Sequence, residues 1–259
     1  MKKNIQNQTQ NQLPNDEILK KTASISAHLI ELRNRFIKVG IVFIALFAIA
    51  YFFSENVYNF LLMPLIKING ENNHRIIYTG LTEAFFTYIK LSTFTALLFT
   101  IPYFFWQIYL FAAPGLYKNE RKGFLPFLIF TPFLFYSGIA FAYYLVFPYA
   151  WQFFLSFESP NAALPIVFEA RIYEYLSLVM HLMIAFGVAF QLPVATVLLY
   201  KIGLVSIETL KAKRKYAIVG MFIISAIITP PDVFSQIALA LPLIILYEIA
   251  IIICNKIIK

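Results

Sequence analysis

The chain is 259 residues long, 60% hydrophobic and 13% charged, with a mean hydropathy of +0.73 and a net charge of +8. Soluble domains carry about a quarter charged residues, so this composition excludes an ordinary soluble domain and points to an integral membrane protein. One cysteine, Cys254, leaves no internal disulfide. With three dispersed histidines, His28, His74 and His181, it forms no metal-ligand cluster, and no cofactor motif is apparent.

Residues 1–22 are polar and rich in Gln and Asn. They contain no apolar core of a cleavable signal and read as a disordered cytoplasmic tail. Residues 23–259 then hold six apolar runs, at about 36–53, 84–111, 123–149, 173–200, 216–228 and 233–254. A hydrocarbon core of about 30 Å takes about 20 helical residues, so the expected fold is all-α with six transmembrane helices. The fifth run, ending before Pro230 and Pro231, is too short for full thickness. The expected bundle is therefore cupped, with short helices five and six.

Orientation follows from the basic residues. Seven Lys and Arg precede or enter the first run, three follow the second, five lie between the fourth and fifth, and two follow the sixth. These seventeen share one side of the membrane. Only Lys67, Arg75 and Arg171 fall on the other side, and Lys90 lies within the second run. The positive-inside bias places both termini in the cytoplasm. Anionic lipid accounts for the basic charge, so no nucleic-acid partner is implied. Pro102, Pro126, Pro132, Pro193 and Pro242 lie inside the runs. Each removes a backbone donor, which lipid tolerates only where a neighbouring helix satisfies the freed carbonyl.

Carboxylates are rare on the basic side. Glu31, in HLIELRNRF before the first run, has Arg35 one helical turn away and can pair with it, while Arg33 points elsewhere. Glu120 sits in FAAPGLYKNERKGF among Lys118, Arg121 and Lys122, where the ordinary reading is a solvated loop carboxylate. Both sit at the membrane surface, where each could serve a cation from another molecule.

The segments HLIELRNR, TEAFFTYIK, FAAPGLYKNER and TPPDVFSQ occur in this order at run boundaries. Together they resemble the TatC family of twin-arginine translocase subunits over nearly the whole chain after the tail. The resemblance implies a multi-span, non-enzymatic receptor in the bacterial cytoplasmic (inner) membrane that binds twin-arginine signal peptides. With single-span TatA and TatB partners in a hetero-oligomer, it would export folded proteins using the proton-motive force. It assigns signal-peptide binding to Glu31 and Glu120, a chemistry that suits the planar fork of a guanidinium. Phe111, Pro114, Gly115, Leu116 and Tyr117 match the loop pattern and are expected to shape it. Arg33, Arg35 and Arg121 read as lipid anchors that can also hold the carboxylates in place. Pro64 and Asp232 are further candidates, with Asp232 also placed to cap the sixth helix.

Gln191 and Glu248 lie within runs, with His181 and Lys90 behind them, and intramembrane polar groups are functional candidates. Many relatives have Glu where this chain has Gln191, so hydrogen bonding is retained there but not a charge. A proton-coupled small-solute transporter is the alternative, but it requires a polar line through several spans, and these residues are isolated. An intramembrane enzyme lacks a nucleophile–base pair or metal set, and no phosphate-binding loop is present.

Overall fold

The computed structural model describes residues 28–69, 75–112, 118–159, 168–228 and 233–257, together with Leu164. The described residues are almost entirely helical. Helix α1 covers His28–Phe52 and α2 Ser54–Asn69; α3 is Glu83–Ala112 and α4 Lys118–Phe141. A π-helical turn, Ala142–Val146, joins α4 to α5, Phe147–Leu155. Then come α6, Ile172–Ala189, α7, Leu192–Lys201, α8, Ile207–Ala212, α9, Arg214–Ile228, and α10, Val233–Ile257. Among the described residues, five stretches are long and apolar enough to cross a membrane: α1, α3, the end of α4 through α5, α6 with α7, and most of α10. Helix α9 has 15 residues, about 22 Å at 1.5 Å per residue, and falls below that length.

Two expectations are corrected. The last helix is not short, because α10 runs 25 residues and continues through the polar Asn255 and Lys256. Glu120 is not in a loop, because α4 begins at Lys118 and places it in the first helical turn. Helix α2, which the apolar runs do not reveal, follows α1 almost without a break. Its Leu61, Leu62 and Leu65 are buried against α3 and α5.

Helix α6 is the centre of the core. Leu176, Val179 and Phe186 are fully buried, and it packs on α3 and α4. Its contact with α4 is close enough to require glycine. A Cβ on Gly138 would meet the Phe186 carbonyl oxygen at 2.5 Å, and one on Gly187 would meet the Phe135 ring at 2.7 Å. Small residues letting helix backbones approach is the usual basis of association in lipid. At the far end from the start of α1, a two-residue parallel pair, β1 (Ile76–Ile77) with β2 (Ala170–Arg171), ties the approach to α3 to the start of α6.

Two of the helix-interior prolines, Pro102 and Pro64, behave as lipid demands. Pro102 leaves Leu98 O without its helical donor, and the Tyr136 hydroxyl of α4 donates to that oxygen at 2.7 Å. Pro64 likewise frees Phe60 O, which accepts from the Tyr143 hydroxyl at 2.7 Å, while Tyr175 donates to the adjacent Leu61 O at 3.0 Å. Pro193 sits at the start of α7, just past the turn at Phe190 and Gln191 that separates α6 from α7. The π turn has a cause in the sequence. Core residues recur every four positions at Phe135, Ile139, Tyr143, Phe147 and Trp151. A regular α-helix overshoots by about 40° per four residues. The i→i+5 winding at Ala142–Val146 takes up an extra residue and keeps that row facing the core.

Candidate functional site

The near end of the bundle, where α1 starts and α3 stops, carries the most organised polar cluster that involves a sequence candidate. Arg35 is its hub. Its Nε and Nη2 donate to Glu31 Oε1 at 3.1 and 2.5 Å, one helical turn away on α1. Its Nη1 donates to Gln107 Oε1 at 3.2 Å and its Nη2 to Leu110 O at 3.1 Å, both on α3. Leu110 O is one of the last carbonyls of α3, which a helix end leaves without a donor. The residue four positions on, Pro114, has no N–H to give. Arg35 thus caps α3 as well as pairing with Glu31, and its positive charge suits a helix C-terminus.

The second carboxylate oxygen of Glu31, Oε2, is differently placed. Among the described residues it lies 3.8 Å from His28 Nδ1. The His28 ring stacks on Phe111 with centroids 4.4 Å apart. The Glu31 side chain is 38% exposed, against 20% for Arg35. The cluster therefore presents a partly exposed carboxylate with one oxygen held by an internal guanidinium and the other beside an exposed imidazole.

The other sequence candidates distribute as follows. Arg33 is exposed on α1. Phe111 belongs to this cluster through its stack on His28. Pro114, Gly115, Leu116, Tyr117 and Asp232 lie outside the described residues. Glu120 and Arg121 lie on the first turn of α4. Pro64 is buried inside α2. Gln191 donates from Nε2 to Thr131 O on α4 at 3.0 Å, and its buried Oε1 has no hydrogen-bond partner among the described residues. Glu248 on α10 pairs with Arg214 at the head of α9 at 2.9 Å. Gln191 and Glu248 are thus tied to separate partners, α4 and α9. Lys90 donates to Ser177 Oγ at 2.7 Å and lies 4.6 Å from the Tyr173 ring centroid, so its ammonium is held by α6. His181 is exposed on α6 and lines a cavity of about 590 Å³ with Gln191 and Met221.

Two features escape a reading of the sequence. Gln107 is the interhelical anchor of Arg35, signalled only by its being a polar residue in an apolar run. At the far end, Glu83 Oε2 accepts from the Thr79 and Gly80 amides at 3.0 Å each and lies 3.5 Å from Arg171 Nη2. Arg171 also donates to Thr79 Oγ1 at 2.6 Å and to Glu174 at 2.9 Å. This strap fixes the start of α3 to the start of α6. It depends on the β1–β2 pairing, which joins residues more than ninety positions apart.

Long apolar helices, carbonyls freed by proline and capped by tyrosine, and a charged knot at one end define a multi-span helical membrane protein with a polar site at its surface. The Sec-independent protein translocase protein (TatC) family model matches residues 27–242. The chain belongs to the TatC family. A Sec-independent protein translocase protein TatC of Rickettsia prowazekii is 53% identical over 235 residues, covering 91% of this chain and 94% of the relative. That of Escherichia coli K12 is 41% identical over 230 residues, covering 89% and 87%. A crystal structure of the twin-arginine translocase receptor TatC superposes with a TM-score of 0.73 at 35% identity, covering 90% of this chain and all of that one. The chain is accordingly a membrane component of a Sec-independent protein translocase, which is a transport role.

Proposed function

We propose that this chain is the receptor subunit of a twin-arginine export system in the bacterial cytoplasmic membrane. It captures signal peptides bearing two consecutive arginines. With single-span TatA- and TatB-type partners in a hetero-oligomer, it passes folded proteins across the membrane under the proton-motive force. In this reading α9 supplies a sixth, short crossing, both termini are cytoplasmic, and the basic near end lies against anionic lipid. The observation that carries the proposal is Glu31, a partly exposed carboxylate at the start of a long apolar helix, whose Oε1 is held by Arg35 and whose Oε2, among the described residues, lies beside only the exposed His28 ring at 3.8 Å.

Glu120, on the first turn of α4, is the second carboxylate of the proposed site. Two carboxylates on separate helices suit two arginines. A hydrogen bond to a charged group contributes roughly 1.5–3 kcal/mol, but an exposed ion pair about 1 or less. The site therefore supplies discrimination, and the apolar part of the signal peptide supplies much of the affinity. Phe111 and the Pro114–Tyr117 segment shape the approach to it. Pro64, Gln191, Asp232 and Glu248 serve the fold or partner contacts rather than arginine recognition.

Binding of twin-arginine and twin-lysine peptides to the full-length chain in nanodiscs tests this. Glu31→Ala and Glu120→Ala should each reduce the preference for arginine, and the double variant should bind the two peptides about equally. A folded double variant that still prefers arginine refutes the reading.

A further inference from the structure

We infer that Arg35 is the positioning residue that gives Glu31 its selectivity for a guanidinium. The inference rests on the proposed reading of Glu31 as a signal-peptide contact. A carboxylate and an arginine one turn apart on an exposed helix form an ordinary pair, free to open and re-form. Here the pair is not free. Arg35 uses four of its five N–H donors, two on Glu31 Oε1, one on Gln107 Oε1 and one on Leu110 O. Two of these partners belong to α3, so the guanidinium stays in place whatever Glu31 binds. Because both bonds to Glu31 fall on a single oxygen, they fix the rotation of the carboxylate and hold Oε2 on the side of the exposed His28 ring.

The consequence for an incoming arginine is specific. It cannot grip both oxygens of Glu31 as a symmetrical fork without ejecting Arg35. Ejection would also uncap Leu110 O and release Gln107. The incoming group is instead received on Oε2, in a carboxylate plane set by Arg35 and flanked by the His28 ring, itself stacked on Phe111. A planar guanidinium can donate to Oε2 and lie on an aromatic face at once. An ammonium is a compact point charge with no flat face. With the carboxylate free to rotate, that geometric difference is lost and both cations are received alike. Charge alone works in the opposite direction, since Arg35 neutralises Glu31 and repels a cationic peptide.

The experiment compares twin-arginine and twin-lysine peptides on the full-length protein in nanodiscs, with thermal unfolding of each variant as a folding control. In Arg35→Ala, affinity for both peptides should hold or rise, because a positive charge has gone. The arginine-to-lysine preference should fall about three- to fivefold, the scale of one partly exposed ion pair. Arg35→Lys keeps the charge but, with one nitrogen, cannot bridge Glu31, Gln107 and Leu110 O together. Its preference should fall as in Arg35→Ala. Gln107→Leu removes one anchor without changing charge and should give a partial fall, and it decides the matter if Arg35→Ala does not fold.

Preference kept in Arg35→Lys but lost in Arg35→Ala would mean that charge alone matters, and overturns the inference. So would a gain in arginine affinity with undiminished preference in Arg35→Ala, which would make Arg35 a competitor for Glu31. Glu31→Gln separates the two levels. If it leaves the preference intact, the recognition reading fails and the inference with it. If it reduces the preference while the Arg35 and Gln107 variants retain theirs, the inference alone fails.

Discussion

Replacing Tyr136 by Phe removes one oxygen and keeps the ring, so its cost isolates the hydroxyl that donates to Leu98 O at 2.7 Å. That carbonyl needs the hydroxyl only because residue 102 is proline, since any other residue there would supply the N–H. A buried carbonyl left unsatisfied costs about 1–3 kcal/mol, while interhelical hydrogen bonds measured in membranes average about 0.6 and reach about 1.7. Tyr136→Phe should therefore destabilise by about 1–2 kcal/mol, lowering the folded-to-unfolded ratio roughly five- to thirtyfold. In a Pro102→Ala background the backbone amide restored at that position closes onto Leu98 O, and the same change should cost under about 0.5 kcal/mol. The coupling in this double-mutant cycle is then about 1 kcal/mol. Unfolding equilibria by steric trapping in bicelles would measure all four proteins. An equal cost of Tyr136→Phe in both backgrounds would show that the hydroxyl has another role and that proline is not the reason for it. Tyr143→Phe against Pro64→Ala repeats the test on α2.

The remaining predictions are simpler. Gly138→Ala drives a Cβ to 2.5 Å from a backbone oxygen on α6 that cannot yield. It should destabilise by about 1–3 kcal/mol, whereas Gly220→Ala, with nothing within 4 Å, should be neutral or stabilising by up to about 1 kcal/mol; the same unfolding assay reads both. Glu248→Ala removes an exposed ion pair with Arg214 and should cost under about 1 kcal/mol, with a smaller effect still in high salt; a larger loss would indicate a buried partner. Glu120→Lys should impair twin-arginine peptide binding more than Glu120→Ala, because repulsion is added to the lost acceptor, and crosslinking yields would rank them.

Much of this architecture can be read from sequence, for a physical reason. Lipid leaves a helix little alternative to apolar length, so α1, α3, α6–α7 and α10 announce themselves as runs. The Glu31–Arg35 pair is legible from its spacing of four. What escapes is whatever depends on tertiary placement. Helix α2 is hidden because its apolar run, Phe60–Ile66, is only seven residues long, too short to announce a span, and contains Pro64, which discourages a helix. The partners of Arg35 on α3 lie more than seventy residues away, and no local pattern encodes them. The far-end strap depends on a two-residue strand pairing too short to leave a signature. Around Glu120, Lys118, Arg121 and Lys122 look like the solvated punctuation of a loop, yet the charges simply begin α4.

The π turn at Ala142–Val146 makes this span tolerant of a change in chain length. Its five residues wind through about the rotation that four residues cover in an α-helix, so it holds one residue in reserve. Removing Tyr144, which is exposed there, should let the segment tighten to α while Phe147 and Trp151 keep facing the core. Removing Ile184 from the regular winding of α6 has no such slack to consume. Everything beyond it would turn by about 100°, carrying Phe186 and Gly187 off their seat on α4.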